Sequence, residues 1–378
     1  MSQIAQCSRQ WDDAEVPAPG SASVARFWVA LEQNGPWGHD AIASAHLPDG
    51  LGPELERAIS AAGGRLLLIR RPGRHVDTHD PGVPRNCYVA GGLTDEPWLL
   101  EGEVYDPFDL LRVDWRGQIE QGPDAVSETL PLLEETRDVV LLVCANSKRD
   151  QCCAVRGRPV AAAVSEQRPG RVWECSHTGG HRFAPTAVIL PSGQTYARLT
   201  DETALAAYDA ERRREVPAAL NCALHNRGRS CLSAPAQAAE AFVREQTGRL
   251  ALDAFGVEEA GDGVYVVSDR DGRSWRLRLA RVDGPELKDS CLKVAKTSSY
   301  WQVTDLSGGR VGSILFGSMR LSVPGGSVSS WPSNQQPNSI ASSVSFASCR
   351  APQQISTRSP NSSCSSRSPT QPTARWPG

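Results

Sequence analysis

The sequence lacks the features that mark membrane proteins, secreted proteins and nucleic-acid-binding proteins. No run approaches the roughly 18 apolar residues of a membrane-spanning helix, and the first residues, MSQIAQCSRQWDDAEVP, contain no basic segment followed by an apolar one. Its 40 Lys and Arg residues nearly balance its 43 Asp and Glu residues, so a net charge of -3 offers no basic field to a phosphate backbone. We therefore expect a cytoplasmic protein that binds neither membranes nor nucleic acid.

Two catalytic patterns are also missing. No Cys-x-x-Cys occurs, and the neighbouring Cys152 and Cys153 could close only a strained ring, so a thiol-disulfide oxidoreductase is a weaker hypothesis. No pair of carboxylates makes a credible case for glycoside hydrolysis. In a reducing cytosol, the 11 cysteines must then be explained by metal ligation, redox chemistry or burial.

The order of apolar segments predicts an α/β fold. ARFWVAL, LGPELERAISAAGG and RLLLIRR read as strand, helix and strand, and NCYVAGG and PWLLEGEV as further strands. A second unit begins at Val139 with VVLLVC, a continuous apolar run typical of a strand buried on both faces. A helix in PVAAAVSEQ, a strand in RVWECSH, a hairpin in TAVILPSGQTYARL and a helix capped by Asp201 complete that unit.

Composition divides the chain into four predicted segments. An N-terminal α/β region covers 1–130, a second α/β domain covers 131–214, and a small α+β subdomain covers 215–306. Residues 307–378 are rich in Ser, Pro, Gly, Gln and Asn, which predicts a disordered tail because such a segment buries too little surface to offset its ordering entropy. This tail is either a native extension or the product of a shifted reading frame.

Two short segments concentrate potential metal ligands. Cys144 ends the apolar strand of the second unit, and Cys153 returns after eight intervening residues, which we interpret as a loop. His177 and His181 follow the next strand and are separated by Thr-Gly-Gly, in which the glycines allow a tight bend. Because the ends of neighbouring parallel strands meet at one sheet edge, these two thiols and two imidazoles should converge there.

The ligand types alone leave two metals open. Thiolates hold iron-sulfur clusters, and imidazoles can replace two of them on one iron, which raises the reduction potential. Two cysteines and two histidines equally suit a closed structural zinc site. Cys152 is a rival to Cys153, and Cys175 is expected to be a buried small residue.

The motifs themselves resemble a known family. Cys-x-x-x-Lys-Arg-Asp-x-Cys-Cys-Ala at 144–154, Trp-Glu-x-Ser-His-x-Gly-Gly-His-Arg-Phe-Ala-Pro at 173–185, and LPSGQTYARL are similar to segments of the sucrase/ferredoxin-like family. The resemblance implies a thioredoxin-like ferredoxin domain at 131–214, with the N-terminal region as a degenerate relative of it. It also implies a 2Fe-2S cluster with Cys144 and Cys153 on one iron and His177 and His181 on the other.

The function implied by this resemblance is electron transfer between donor and acceptor proteins, rather than catalysis on a substrate of the chain's own. A structural zinc protein and a thiol-disulfide oxidoreductase are the alternatives. Around the ligands, we expect Arg149 to offset the charge of a reduced cluster and Asp150 to accept hydrogen bonds that hold the loop. Cys222 and Cys231, on either side of the turn NRGR, are not expected to form a second metal site.

Overall fold

The computed structural model describes residues 6–73 and 82–308, together with the backbone of 319–320. The helices are α1 (Cys7–Asp13), α2 (Leu51–Ala61), α3 (Gly117–Gln121), α4 (Pro123–Thr129), α5 (Gln151–Gln167), α6 (Asp201–Glu211) and α7 (Ala234–Thr247). The first strands are β1 (Trp28–Glu32), β2 (Arg65–Arg70), β3 (Arg85–Gly91), β4 (Trp98–Val104), β5 (Leu133–Thr136), β6 (Val140–Cys144) and β7 (Val172–Cys175). The later strands are β8 (Ala187–Leu190), β9 (Gln194–Tyr196), β10 (Asn226–Arg229), β11 (Phe255–Glu259), β12 (Val264–Asp269), β13 (Ser274–Leu287), β14 (Lys296–Ser307) and β15 (Met319–Arg320).

A single ten-stranded sheet contains both predicted α/β units, in the order β10-β9-β8-β6-β7-β2-β1-β3-β4-β5. In one half, β1 pairs parallel with β2 and antiparallel with β3, and β4 and β5 follow antiparallel. The other half repeats this topology with β6, β7, β8, β9 and β10. The mixed α/β architecture expected from the sequence is therefore present, and β5, which follows the predicted boundary at residue 130, belongs to the first half.

The two halves join through a short antiparallel pairing of β2 with β7. Ile69 lies opposite Cys175 and Arg70 lies opposite Glu174. The guanidinium of Arg70 donates from Nε and Nη2 to Oε2 of Glu174, at 2.9 and 2.7 Å, and both side chains are buried. Removal of one partner from a charged pair buried this deeply is strongly destabilising. The pair therefore favours the observed register of the junction.

Both faces of this sheet are apolar, because side chains alternate along each strand. In β6, Leu141 and Val143 pack with α5 and α6, whereas Val140, Leu142 and Cys144 face a second core on the opposite side. That second core continues across the junction to Trp28 of β1. The continuous run VVLLVC is thus buried on both sides, as its composition predicts.

Three local predictions need correction. Helix α5 begins at Gln151 rather than in PVAAAVSEQ, because the carboxylate of Asp150 accepts from the backbone N–H of Cys152 and caps the helix. Cys153 therefore lies in a first helical turn and not in a loop. Thr200, not Asp201, caps α6, because its hydroxyl accepts from the N–H of Thr203.

The segment NRGR is also a strand rather than a turn. It forms β10 at the edge of the large sheet, where it pairs with β9. Helix α7 packs over it and against the second sheet, whose order is β11-β12-β13-β14-β15. Helix α7 and strands β11 to β14 fall largely within the predicted subdomain span of 215–306, whereas β10, in the same span, belongs to the large sheet.

Most of the predicted disordered tail, 307–378, lies outside the described residues. The described parts are 307–308, where Ser307 ends β14, and 319–320, which pair with β14 as β15. Among the described residues, no helix combines the length and the apolarity needed to cross a bilayer.

Gly157 lets α5 approach β6 closely. A Cβ atom at this position would lie 2.3 Å from the carbonyl oxygen of Cys144. We predict that Gly157→Ala lowers the free energy of unfolding by about 2 kcal/mol. A clash with a backbone oxygen costs roughly 3 kcal/mol, the upper end of the range for overpacking, and alanine recovers only roughly 1 kcal/mol of this in a helix. Gly256→Ala is the control, because no atom lies within 4 Å of its new Cβ. Urea unfolding midpoints for the two variants test this, and a neutral Gly157→Ala would contradict it.

Candidate metal centre

Three of the four predicted ligands converge where β6, α5 and β7 meet. The parallel register of β6 and β7 sets the backbone of Cys144 opposite that of Cys175, so the chain leaving β7 carries His177 to the end of β6. The Sγ atoms of Cys144 and Cys153 lie 3.7 and 4.0 Å from Nδ1 of His177. Both cysteines are buried, with 1% and 0% of their surfaces exposed. These three residues form a group that could hold a metal ion.

His181 contacts the ring of His177 rather than the sulfurs of Cys144 and Cys153. Its Nδ1 lies 3.4 Å from Nε2 of His177, and the two ring centroids are 5.1 Å apart. Its Nε2 is buried and has no hydrogen-bond partner among the described residues, with the nearest carboxylate oxygen, on Asp150, at 3.8 Å. A buried ring nitrogen without a partner is costly, so the His181 ring carries one unsatisfied group in addition to the Nδ1 that faces His177.

The loop carrying both histidines depends on left-handed glycines and on one buried arginine. Gly179 and Gly180 have φ values of 85° and 77°, a region that other residues rarely adopt. The guanidinium of Arg227 donates to the carbonyl oxygen of Gly179 at 3.1 Å and to Ser21. The side chain of Arg227 is fully buried, so β10 anchors the histidine loop from below.

The thiols of Cys144 and Cys153 have pKa values shifted in opposite directions. A hydrogen bond from Cys153, together with the proximity of His177, holds the pKa of Cys144 well below its ordinary value, and the same hydrogen bond and burial raise the pKa of Cys153. Burial also raises the pKa of Cys175, so this thiol stays protonated. Cys144 is accordingly the member of this pair that forms a thiolate, and Cys153 is the member that keeps its proton.

Charges near the centre follow from burial. Burial lowers the pKa of Arg227 to about 9, which still leaves the guanidinium charged at neutral pH and close enough to interact with the sulfurs of Cys144 and Cys153. Burial also lowers the pKa of His181, which favours the neutral imidazole that binds metals. The centre thus combines a thiolate, the neutral imidazole of His181 and one buried cation.

Cys152 and Cys153 belong to different groups. Successive residues of an α-helix point about 100° apart, so the first turn of α5 directs Cys153 towards Cys144 and Cys152 away from it. The Sγ of Cys152 instead lies 3.6 Å from that of Cys7 and 3.3 Å from that of Cys291. This placement favours Cys153 over Cys152 as the partner of Cys144.

Of the two residues expected to surround the ligands, Asp150 lies close to them and Arg149 lies at the surface. Arg149 does not reach the sulfurs with a hydrogen bond, and its Nη1 lies 3.3 Å from Nδ1 of His39 at the surface. Asp150 accepts the loop hydrogen bonds expected of it, from the N–H groups of Cys152 and Cys291. The nearby buried cation is Arg227, which the sequence did not single out.

A cavity of about 320 Å³ opens elsewhere in the molecule and is lined by residues such as Glu211, Arg214 and Arg229. None of the four predicted ligands lines this cavity. The centre is therefore a buried side-chain cluster and not the wall of this cleft.

Comparison with known proteins assigns the family. A model of the sucrase/ferredoxin-like family matches residues 19–212, just over half of the chain. The chain belongs to the sucrase/ferredoxin-like family. Within this sucrase/ferredoxin-like protein, the matched span contains Cys144, Cys153, His177 and His181, whereas Cys7 and Cys291 lie outside it. No curated protein and no solved structure matches the chain significantly.

No sequence motif indicated a role near either site for Arg227, Cys7 or Cys291. Each reaches its group through contacts with residues at least 48 positions away, such as Arg227 with Gly179, so no local motif contains both partners. For Arg227, the segment NRGR was predicted to be a turn but forms strand β10. For Cys7 and Cys291, only the three-dimensional structure brings the thiols together.

We predict that Gly180→Ala destabilises the protein more than Gly248→Ala does. Both glycines have positive φ values, 77° and 67°, so each alanine bears a strain of about 1 kcal/mol. Only at position 180 would the new Cβ clash, at 2.5 Å from Nη2 of Arg227, adding roughly 1–3 kcal/mol. Urea unfolding of the two variants measures the difference. Equal losses would mean that Arg227 does not hold the histidine loop.

Proposed function

We propose that this chain binds a 2Fe-2S cluster through Cys144, Cys153, His177 and His181 and carries single electrons between protein partners. The observation that carries the proposal is the convergence of the buried thiols of Cys144 and Cys153 on the half-buried ring of His177, with a second imidazole adjoining the first. Membership of the sucrase/ferredoxin-like family supports it, because the matched span includes all four ligands.

The spacing of the ligand atoms supports two pairs of ligands. Two nitrogen ligands at 2.0–2.1 Å from one tetrahedral ion stand about 3.4 Å apart, and Nε2 of His177 and Nδ1 of His181 have this separation, 3.4 Å. The sulfurs of Cys144 and Cys153 form the second pair and are joined by a hydrogen bond. One iron on the sulfur pair and one on the nitrogen pair is the arrangement that such a cluster requires.

The protein's own contribution is exclusion of water and control of charge. The cluster would supply a site that accepts and releases one electron. Two neutral imidazoles in place of thiolates reduce the negative charge of the centre, and the buried guanidinium of Arg227 favours the added electron further. We therefore infer a reduction potential above that of a centre with four cysteine ligands.

We also propose that 131–214 is a thioredoxin-like ferredoxin domain and that the N-terminal region is its degenerate relative. A strand-helix-strand unit followed by an antiparallel hairpin, as in β6, α5, β7, β8 and β9, is the core arrangement of thioredoxin-like proteins. The same order of β1, α2, β2, β3 and β4 supports the kinship of the first half. The first half has no comparable group of ligands among its described residues.

A structural zinc site is the second candidate, and one measurement favours it. Nitrogen and sulfur ligands of a single tetrahedral zinc ion stand about 3.5 Å apart. The distances of 3.7 and 4.0 Å from Nδ1 of His177 to the two sulfurs are close to this value. With His181 hydrogen-bonded to His177, such an ion would have three protein ligands rather than the four of a closed structural site. The protein would then carry no electrons.

Protein purified without oxygen is expected to be brown and to contain iron and sulfide in equal amounts, at two of each per chain. Visible absorption with iron, sulfide and zinc analysis measures this. Colourless protein with one zinc ion that depends on His177 would establish the structural alternative. Metal-free protein with two rapidly titrating thiols would instead favour the oxidoreductase.

Replacement of single cysteines tests the ligand assignment. Cys144→Ala should abolish the visible spectrum, because the sulfur pair loses one member. Cys175→Ala is the matched control, since its backbone lies directly opposite that of Cys144 and its thiol is equally buried. Loss of the cluster from Cys175→Ala, or its retention in Cys144→Ala, would exclude the proposed ligand set.

Replacement of either histidine by cysteine should keep a cluster and lower its potential. We predict a decrease on the order of 100 mV or more for His177→Cys and for His181→Cys, because a charged ligand replaces a neutral one. Redox titration followed by visible absorption measures the shift. His225→Gln is the control, because this half-buried histidine contacts the carbonyl oxygen of Ala197 instead. Unchanged spectra and potentials in both cysteine variants would remove the histidines from the ligand set.

A further inference from the structure

A second group of cysteines lies next to the proposed centre. Cys7 begins α1, Cys152 lies in the first turn of α5, and Cys291 lies in the connection between β13 and β14. Their sulfurs form a triangle with sides of 3.6, 3.3 and 3.7 Å. All three residues are buried, with at most 7% of their surfaces exposed. The carboxylate of Asp150, also buried, completes the group, with both oxygens 3.9 Å from Sγ of Cys7.

From this triangle we infer a second metal site, in which Cys7, Cys152, Cys291 and Asp150 bind one zinc ion. In a tetrahedral zinc site with bonds of 2.3 Å to sulfur, the sulfurs stand about 3.8 Å apart, and an oxygen ligand lies about 3.6 Å from each of them. The three sulfur-sulfur separations, and the 3.9 Å from Oδ1 of Asp150 to Sγ of Cys7, lie within about half an ångström of these values. Thiolates and a carboxylate are ligands that zinc accepts.

The short distances exclude a larger cluster at this position. Where thiolates bind different irons of a multinuclear cluster, their sulfurs stand farther apart than in a site with one metal. Here, each sulfur lies within 3.7 Å of the other two. The triangle therefore fits a single soft ion, and closure by four protein ligands is typical of structural zinc.

Asp150 is already held in the orientation that this site needs. Its Oδ2 accepts from the hydroxyl of Ser290 at 2.8 Å and from the N–H of Cys291 at 2.9 Å. Its Oδ1 accepts one bond, from the N–H of Cys152 at 2.9 Å. A carboxylate oxygen has two lone pairs, so Oδ1 retains one that can bind the ion.

The segments that carry the ligands are also fixed by other contacts. The indole N–H of Trp11 in α1 donates to the carbonyl oxygen of Lys288 at 3.0 Å, and the N–H of Lys288 donates to Oε1 of Gln10 at 3.2 Å. Helix α1 and the connection after β13 are thus held together three residues before Cys291. A zinc ion here would fasten three segments that are up to 284 residues apart in the chain.

This inference does not depend on the proposed function, because Cys7 and Cys291 are not among the ligands of the first centre. The full chain, produced with both iron and zinc present, is compared with Cys7→Ala and Cys291→Ala by metal analysis. We expect each variant to contain one zinc ion per chain less than the original protein, whatever metal occupies the first centre. Cys87→Ala, which removes a buried thiol from another core, should lose none.

Equal zinc contents in the original protein and both variants would overturn the inference, and so would a disulfide between any two of the three thiols in protein purified with zinc.

If the alanine variants do not fold, Co²⁺ in place of zinc in the iron-loaded original protein decides the matter. Intense thiolate-to-cobalt absorption with a tetrahedral visible spectrum supports the site. The weak spectrum of octahedral cobalt contradicts it. Absence of iron from protein that still shows the zinc difference would count against the proposed function alone.

Discussion

The capping of α5 by Asp150 is the interaction on which the arrangement of the cysteines depends. Its carboxylate accepts from the N–H of Cys152 and so fixes where the helix begins. Because helical neighbours diverge, that starting point sends Cys153 to Cys144 and Cys152 to Cys7 and Cys291. The same carboxylate reaches the connection after β13 through Ser290 and lies near Nε2 of His181. One side chain therefore sets the geometry of both thiol groups.

Among the described residues, the large sheet gathers the candidate ligands in one of its two similar halves. The parallel pairing of β6 with β7 brings Cys144 close to His177, and the hydrophobic face beneath them continues into the first half. The first half also contributes directly to the centre: Ser23 donates to the carbonyl oxygen of Thr178, and Ser21 binds Arg227. The half without ligands thus supports the loop that carries the histidines.

Much of this could be predicted from the sequence. Continuous apolar runs identified β2 and β6, and the residues that follow β6 and β7 identified the sheet edge where thiols and imidazoles meet. The start of α5 was missed because Asp150 was read as a loop acceptor and not as a helix cap, although a capping carboxylate performs both tasks. The shared sheet was missed because the β2–β7 junction is made by residues far apart in the sequence, such as Arg70 and Glu174, which are 104 positions apart.

Local patterns also could not reveal the thiol triangle. Zinc ligands are recognised in sequence when they occur in close pairs, and Cys7, Cys152 and Cys291 are separated by well over one hundred residues. Arg227 presents the same difficulty, because a basic residue between Asn and Gly reads as surface. Only its strand position beneath the histidine loop gives it a buried role.

The antiparallel junction between β2 and β7 also determines whether residues 131–214 could fold as an independent domain. Excision of 131–214 would leave β7 as an open edge, with unpaired backbone groups beside the indole of Trp173, which packs against Tyr88 of the first half. An apolar edge strand of this kind invites association with other chains. Transfer of this segment into another protein would therefore require the neighbouring half as well, because that half covers the edge of β7.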